Sequence, residues 1–208
     1  MIIHHVPQIL QAAFAQYTWH KNRDSNEIYL TFDDGPVVGI TDKVLTILEK
    51  FDVKATFFMV GDNVRKNPNL ALQVQAAGHQ IGNHTYYHIR GNKSTTEKYL
   101  EDFQRCQDVL QEVLGMDAKI FRPPYGRITF EQARFIRKTH ELIMWDVLSG
   151  DYDRRIPAAK CLKKSIKHTR NGSIIVFHDQ EKTVERLPIL LTEFLHHAFD
   201  KGFLPVVL

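Results

Sequence analysis

Two cysteines, Cys106 and Cys161, are all that the 208 residues carry. They are too few and too far apart for a disulfide framework or a thiolate metal site, and both sit in helix-like sequence, so buried, reduced thiols are expected. No stretch approaches the roughly 18–20 consecutive apolar residues that a membrane-crossing helix needs, which argues against stable membrane insertion. The N-terminus has no basic start, apolar centre and small-residue cleavage site of a signal peptide. As written the chain is expected in the cytoplasm, although an exported chain whose leader had been removed would read the same. Runs of Lys or Arg are missing too: 27 basic and 24 acidic residues interleave to a net charge of +3. Without a phosphate-tracking stripe, nucleic acid is not an expected partner. There is no internal repeat, no low-complexity segment and no signal for an oligomeric state. What is present is a 43% hydrophobic chain of a length that suits one globular domain with a real core.

The chain is organised around Ile28-Tyr29-Leu30-Thr31-Phe32-Asp33-Asp34-Gly35-Pro36. A β-branched and aromatic run ends in two adjacent carboxylates and a Gly-Pro turn, which reads as a buried strand delivering acids to a loop. Successive strand side chains point to opposite faces, so Asp33 and Asp34 share an orientation only if the backbone bends, and Gly35-Pro36 is expected to supply the bend.

Around this strand the pattern alternates. Ile2, Ile3, Val6, Ile9, Leu10, Ala13 and Phe14 fall at helical spacing over residues 2–14, predicting a helix that closes one end of the domain, with residues 1–26 a helical extension packed on a barrel. A helix is predicted over 41–50 with Thr41 as N-cap, a strand over 55–60, a short helix over 70–77 stopped by Gly78, and a strand over 80–83. The longest helical pattern covers 94–114 and ends at Gly115. Strands over 119–121, 142–145, 173–177 and 204–207 alternate with helices near 129–138, 157–168 and 187–200. The strand-like runs are apolar rather than alternating, as parallel strands buried on both faces read. An α/β barrel or near-barrel follows.

The unusual polar residues each come just after a strand: Asp33 with Asp34, His84 with His88, Arg122 with Tyr125, Asp151, and His178. In α/β barrels the C-terminal strand ends share one face, where active sites are built. His84 and His88, four apart, are expected on one side of a helical turn and within reach of one cation; with an Asp they make a two-His, one-carboxylate set suited to catalytic zinc or non-haem iron. Arg122, stiffened by Pro123-Pro124, is placed to orient Asp33 and favour its ionised form. Since neither proline has an N–H, the first main-chain donor this loop offers a developing oxyanion is at Tyr125. His178, after a fully apolar strand, suits a general acid, with Asp151 as orienting partner. Trp145, Tyr152 and Phe177 are candidates to wall a sugar groove. The residue chemistry leaves open which aspartate is base and which is ligand.

Taken in order, Thr31-Phe32-Asp33-Asp34-Gly35-Pro36, His84-Thr85-Tyr86-Tyr87-His88, Arg122-Pro123-Pro124-Tyr125-Gly126, Asp151-Tyr152 and Val176-Phe177-His178 resemble the five motifs of the polysaccharide deacetylases, the NodB-homology or carbohydrate esterase family 4 group. The resemblance covers about residues 27–208 and implies a single catalytic domain folded as a distorted (β/α)7 barrel. It implies Asp34, His84 and His88 as ligands of a divalent metal, usually zinc with cobalt or nickel as alternatives, and Asp33 as general base. Arg122 would hold Asp33, the Tyr125 N–H would help stabilise the oxyanion, and His178, tuned by Asp151, would protonate the leaving amine. The implied reaction is hydrolysis of the N-acyl, typically acetyl, amide of an amino sugar in a glycan or glycoconjugate. Deformylation or deacetylation of a lipid-linked amino sugar, a ring-opening amidohydrolase of purine breakdown and a non-catalytic carbohydrate-binding relative are the competing readings. Two positions depart from the motifs, Tyr152 where Trp is usual and Val176 where Leu is usual. Both bear on the acyl pocket and leave the chemistry intact.

Overall fold

A computed structural model describes residues 4–208. Eight strands form one sheet in which every strand ladder is parallel: β1 (Glu27–Asp33), β2 (Thr56–Met59), β3 (Gln80–Asn83), β4 (Ile120–Phe121), β5 (Glu141–Leu142), β6 (Val147–Leu148), β7 (Ile174–His178) and β8 (Leu204–Val206). Seven follow the order β5-β4-β3-β2-β1-β7-β6, and β8 pairs with β1 off that path. At Tyr29, β1 is flanked by Ile174 of β7 and Val206 of β8. The last strand therefore lies on the β2 side, beside the half of β1 that β2 does not reach. The helices are α1 (Gln8–Ala13), α2 (Thr41–Lys50), α3 (Gly61–Lys66), α4 (Pro68–Ala76), α5 (Thr96–Leu114), α6 (Phe130–Ile136), α7 (Ala158–His168) and α8 (Leu187–Asp200). This is the distorted α/β barrel that the strand–helix alternation predicts.

The period-two alternation of strands sorts the side chains. Ile28, Leu30 and Phe32 of β1, Phe57 and Met59 of β2, and Ile175 and Phe177 of β7 join one core cluster with residues of α2, α5, α7 and α8. Burying each such side chain is worth about 1.5–3 kcal/mol. Tyr29, Phe58, Ile120 and Ile174 form a second cluster on the inner face. Thr31 and Asp33, Arg122, and Val176 and His178 fall in step with those inward positions, so the pleat alone directs three candidate site residues to the barrel interior. Phe177 belongs to the helix-facing core, stacked on Phe32 (5.9 Å) and edge-on to Phe194 (5.5 Å), and does not wall a groove as expected.

One further expectation is corrected. The helix predicted over 2–14 is only the six residues of α1, and Ile9 is 82% exposed; Ile2 and Ile3 lie outside the described residues. The preceding residues are extended, because the sheet needs them. β5 and β6 end the strand order, and an unpaired parallel edge exposes main-chain donors and acceptors. Here Val6 N–H donates to the Asp146 carbonyl and Leu148 N–H to that of His4, while Thr18 N–H donates to Leu142 and Met144 N–H to Thr18. The N-terminal segment thus laces the open seam. The stretch after Trp145 contains β6, paired with β7. Finally, α3 follows β2 directly, its Gly61 too close to Tyr86 for a larger side chain: a Cβ there would meet the ring at 2.7 Å. Both cysteines are buried and free, as expected.

Candidate active site

Five strand ends deliver the candidate residues to one cleft of about 640 Å³, lined by Asp33, Asp34, His84, His88, Tyr125 and His178, with Trp145, Leu148, Tyr152 and Val176 along its wall. Asp33 closes β1 with its side chain on the inner face. Arg122, fully buried, donates from one guanidinium nitrogen to both Asp33 Oδ1 (2.7 Å) and Thr31 Oγ1 (2.7 Å). Its other terminal nitrogen donates to the Met144 carbonyl (2.9 Å), and the plane lies over Phe58, 4.2 Å from the ring centroid. A buried cation is tolerated only when paired and fully hydrogen-bonded, and this one is.

Asp34 would point away from Asp33 in a regular strand. Its φ of +87° turns the chain back, so the bend falls on Asp34 itself, one residue before the expected Gly35-Pro36. The turn is clamped from β7: Asp179, wholly buried, accepts Gly35 N–H (3.1 Å) and the Thr41 hydroxyl (2.5 Å), and Thr41 Oγ1 accepts Val37 N–H (2.8 Å). A Cβ on Gly35 would lie 2.0 Å from Asp179 Oδ2, so only glycine fits. Burial and the nearby Asp34 charge push Asp179 up to about 8. Thr41 is the first residue of α2 rather than its cap.

His84 follows β3, and its Nδ1–H donates to the Arg122 carbonyl (2.7 Å), which leaves Nε2 as the free nitrogen. Burial pushes the imidazole down to about 4, keeping it neutral, the form that ligates metals. The expected helical turn from His84 to His88 is absent. Thr85 and His88 have φ of +62° and +55°, and the loop is pinned by Asp102 of α5, whose carboxylate accepts the N–H groups of Tyr86 and Tyr87. The outcome is nonetheless convergence: Asp34 Oδ1 lies 3.7 Å from His84 Nε2 and 3.1 Å from His88 Nε2. One ligand atom from each of Asp34, His84 and His88 falls within 4.8 Å of the others. Asp34 Oδ1 is buried with no hydrogen-bond partner of good alignment, an orphaned acceptor facing two imidazole nitrogens, which is the environment a divalent cation satisfies. The three residues fit such an ion. Burial raises the Asp34 carboxyl, but its approach to His88 and the fields of His178 and His84 outweigh this and hold it below the ordinary carboxylate range.

His178 ends β7 beside Asp33. Its Nδ1–H donates to Asp151 Oδ1 (2.7 Å) and its N–H to Asp151 Oδ2 (2.8 Å), while Ser149 Oγ donates to Oδ1 (2.9 Å). Burial opposes the charged form, but Asp151, with Asp34 and Asp33 behind it, pushes the imidazole up to about 9, so a proton sits on Nε2 towards the cleft. Tyr125 lies in the left-handed region (φ +59°) between Pro124 and Gly126, its ring 4.5 Å from His88. Gln180, which donates to Asp34 Oδ2 (2.7 Å), and Asn63, which donates to the Asp34 carbonyl (2.7 Å), were not legible as site residues. Their sole sequence signal is position just after a strand end.

A protein-family model described as polysaccharide deacetylase matches residues 20–142. The chain belongs to the polysaccharide deacetylase family. Among curated proteins it is 35% identical over 153 residues to a peptidoglycan-N-acetylglucosamine deacetylase of Bacillus cereus, covering 73% of this chain and 55% of that protein. It is 34% identical over 181 residues to the peptidoglycan-N-acetylglucosamine deacetylase PgdA of Listeria monocytogenes, covering 86% of this chain and 38% of that one. The chain thus spans about half the length of these relatives or less. The crystal structure of the Bc1960 peptidoglycan N-acetylglucosamine deacetylase superposes with a TM-score of 0.90 at 28% identity, over 98% of this deacetylase-family chain and 95% of that one.

Proposed function

We propose that this chain hydrolyses the N-acetyl amide of an amino sugar within a glycan, with a divalent metal, in the first instance zinc, held by Asp34, His84 and His88. The observation that carries the reading is the meeting, in one cleft, of the Asp34–His84–His88 set with two separately engineered charge pairs, Asp33–Arg122 and His178–Asp151. A divalent ion held by these three residues would supply Lewis acidity and make water more acidic. Asp33 is the general base: Arg122 occupies Oδ1, leaving Oδ2, 3.9 Å from His84 Nε2, to take the proton of the attacking water. Asp34 is the ligand because its orphaned Oδ1 faces both imidazoles. The Tyr125 main-chain N–H assists the developing oxyanion, and His178 Nε2–H protonates the departing amine, Asp151 keeping that proton available. Residues 27–208 form the catalytic unit in this reading, with 1–26 as its flank. The relatives, whose names specify peptidoglycan, support this substrate class. Relations at these distances support a glycan over a lipid-linked sugar, and the intact base and ligand set supports an enzyme over a binding protein.

The test is release of acetate and free amine from chitooligosaccharides, peptidoglycan fragments, acetylated xylan and N-acyl aminosugar lipids, with and without added Zn²⁺. Metal-dependent release from a glycan is expected. Silence across the panel with stoichiometric metal bound would refute the reading.

A further inference from the structure

Arg90 lines the cleft two residues after His88, yet the chemistry above gives it no part. Its guanidinium carbon lies 4.1 Å from the centroid of the Tyr125 ring, which itself packs against His88. The main chain beneath it is pinned. Gly91 N–H donates to the Arg127 carbonyl (3.0 Å), the Gly91 carbonyl accepts from Gln132 Nε2 (3.0 Å), and the Arg90 carbonyl accepts the Ser94 hydroxyl (3.0 Å). A Cβ on Gly91 would meet Gln132 Oε1 at 2.5 Å, so the fit is tight. The stacked cation is therefore held at the cleft wall while its donors stay free: among the described residues the guanidinium donates no hydrogen bond and has no carboxylate within ion-pairing distance. Arg23, Arg65, Arg122, Arg155 and Arg170 each pair with an aspartate, and the other arginines without a carboxylate partner among the described residues, Arg105, Arg127, Arg134, Arg137, Arg154 and Arg186, do not line this cleft. Lys182, on the loop after β7, also lines the cleft without an anionic partner. Of the acids in the cleft, Asp33 is taken by Arg122 and Asp34 belongs to the metal set, leaving Glu181 against two unpaired cations.

We propose that Arg90 is a specificity-determining residue that binds a carboxylate carried by the substrate beside the reacting amino sugar, so that an acidic glycan is preferred over a neutral one. The inference rests on the deacetylase reading and adds the charge of the substrate to it. A planar guanidinium presents donors in a fork that matches a carboxylate, and stacking on Tyr125 fixes the plane beforehand, so less freedom is lost on binding. Lys182 is a point charge on a flexible stem, suited to drawing an anionic chain into the cleft rather than to fixing its register.

The test uses the zinc-loaded protein, peptide-free glycan strands whose acidic sugars carry free carboxylates, and the same strands after methyl esterification. Acetate release gives kcat and KM, and calorimetry on fully deacetylated strands of both kinds gives Kd without turnover. Wild type should favour the free-acid form. Arg90→Gln should raise KM and Kd by about tenfold more for that form than for the ester, the worth of one charge-assisted contact, with the difference carried by KM rather than kcat; Arg90→Lys should recover part of that difference. Equal losses on acid and ester would overturn the proposal by reducing Arg90 to a support for the Tyr125–His88 wall, and no loss on either would overturn it outright. A charge-dependent Kd without any acetate release would leave Arg90's role standing and refute the deacetylase reading instead.

Discussion

Asp151→Asn should move the alkaline limb of the rate profile without removing the metal. In the folded chain Asp151 accepts three hydrogen bonds, from the His178 ring, the His178 main chain and Ser149. An amide carries only one acceptor oxygen, so one His178 contact becomes a donor facing a donor, and the charge that favours imidazolium is gone. His178, pushed up to about 9 beside Asp151, would fall towards its ordinary 6.5, since burial is then opposed only by the smaller pull of Asp34 and Asp33. Near pH 8 a group of pKa 9 is about 90% protonated and one of 6.5 about 3%, which predicts a loss of about 30-fold there that is smaller near pH 6. A bound cation offsets the contributions of Asp34 and Asp33, so the wild-type limb of the loaded enzyme lies somewhat below 9. The assay is kcat/KM from pH 5.5 to 10 on a metal-saturated enzyme. The same pair has a stability signature. A histidine whose folded pKa is raised contributes stability that is full below its unfolded value of about 6.5 and is lost as pH rises through about 9. Asp151→Asn should therefore lower Tm more at pH 6 than at pH 10. An unchanged alkaline limb in a folded variant would show that His178 is not the proton donor, or that Asp151 does not set its acidity.

Replacing Asp34 or His84 by Ala should abolish stoichiometric metal binding by calorimetry together with activity, whereas Asp33→Ala should keep the metal and lose about 10²–10⁴ in rate; the reverse pattern would exchange the roles of the two acids. Arg122→Met leaves Asp33 buried without its counter-charge and should lower unfolding free energy by about 3–5 kcal/mol in urea titrations, an exposed Arg→Met control changing little. Val176, buried against the cleft, leaves more room than a leucine would, so Val176→Leu should reduce turnover of propionyl relative to acetyl and formyl substrates. Equal turnover of all three by both enzymes would refute that assignment.

The parts of this molecule that were readable from sequence are those where one stretch carries its own signal. The apolar run of β1 with its terminal acids, the end of α5 at Gly115, and the spans of α2, β3 and α8 all came through, because propensity, pattern and packing agree there. β6 did not, being two residues long and strand only through its partners on β7. The N-terminal segment misled because Val6, Ile9 and Leu10 fit a helical period, although Val6 is buried in an extended run and Ile9 is left in solvent. Its conformation is set by the sheet edges it covers, which lie about 140 residues away in the chain.

The site divides along the same line. The five polar clusters could be named because each follows a strand, and the two histidines named from their spacing do converge on Asp34, but not for the reason the spacing suggested. What brings His88 to Asp34 is not a helical turn but a loop with two left-handed residues, held by Asp102 from α5. Long-range main-chain contacts do the rest: the Arg122 carbonyl fixes the tautomer of His84, and Asp179 N–H donates to the Asp33 carbonyl, locking the strand that carries His178 to the strand that carries Asp33. A carbonyl or N–H is present at nearly every residue, so no residue type announces such a contact. The side chains that do chemistry are therefore legible, and the backbone that aims them is not, which is why Gln180, Asn63 and the Asp179–Thr41 clamp emerged only with the fold.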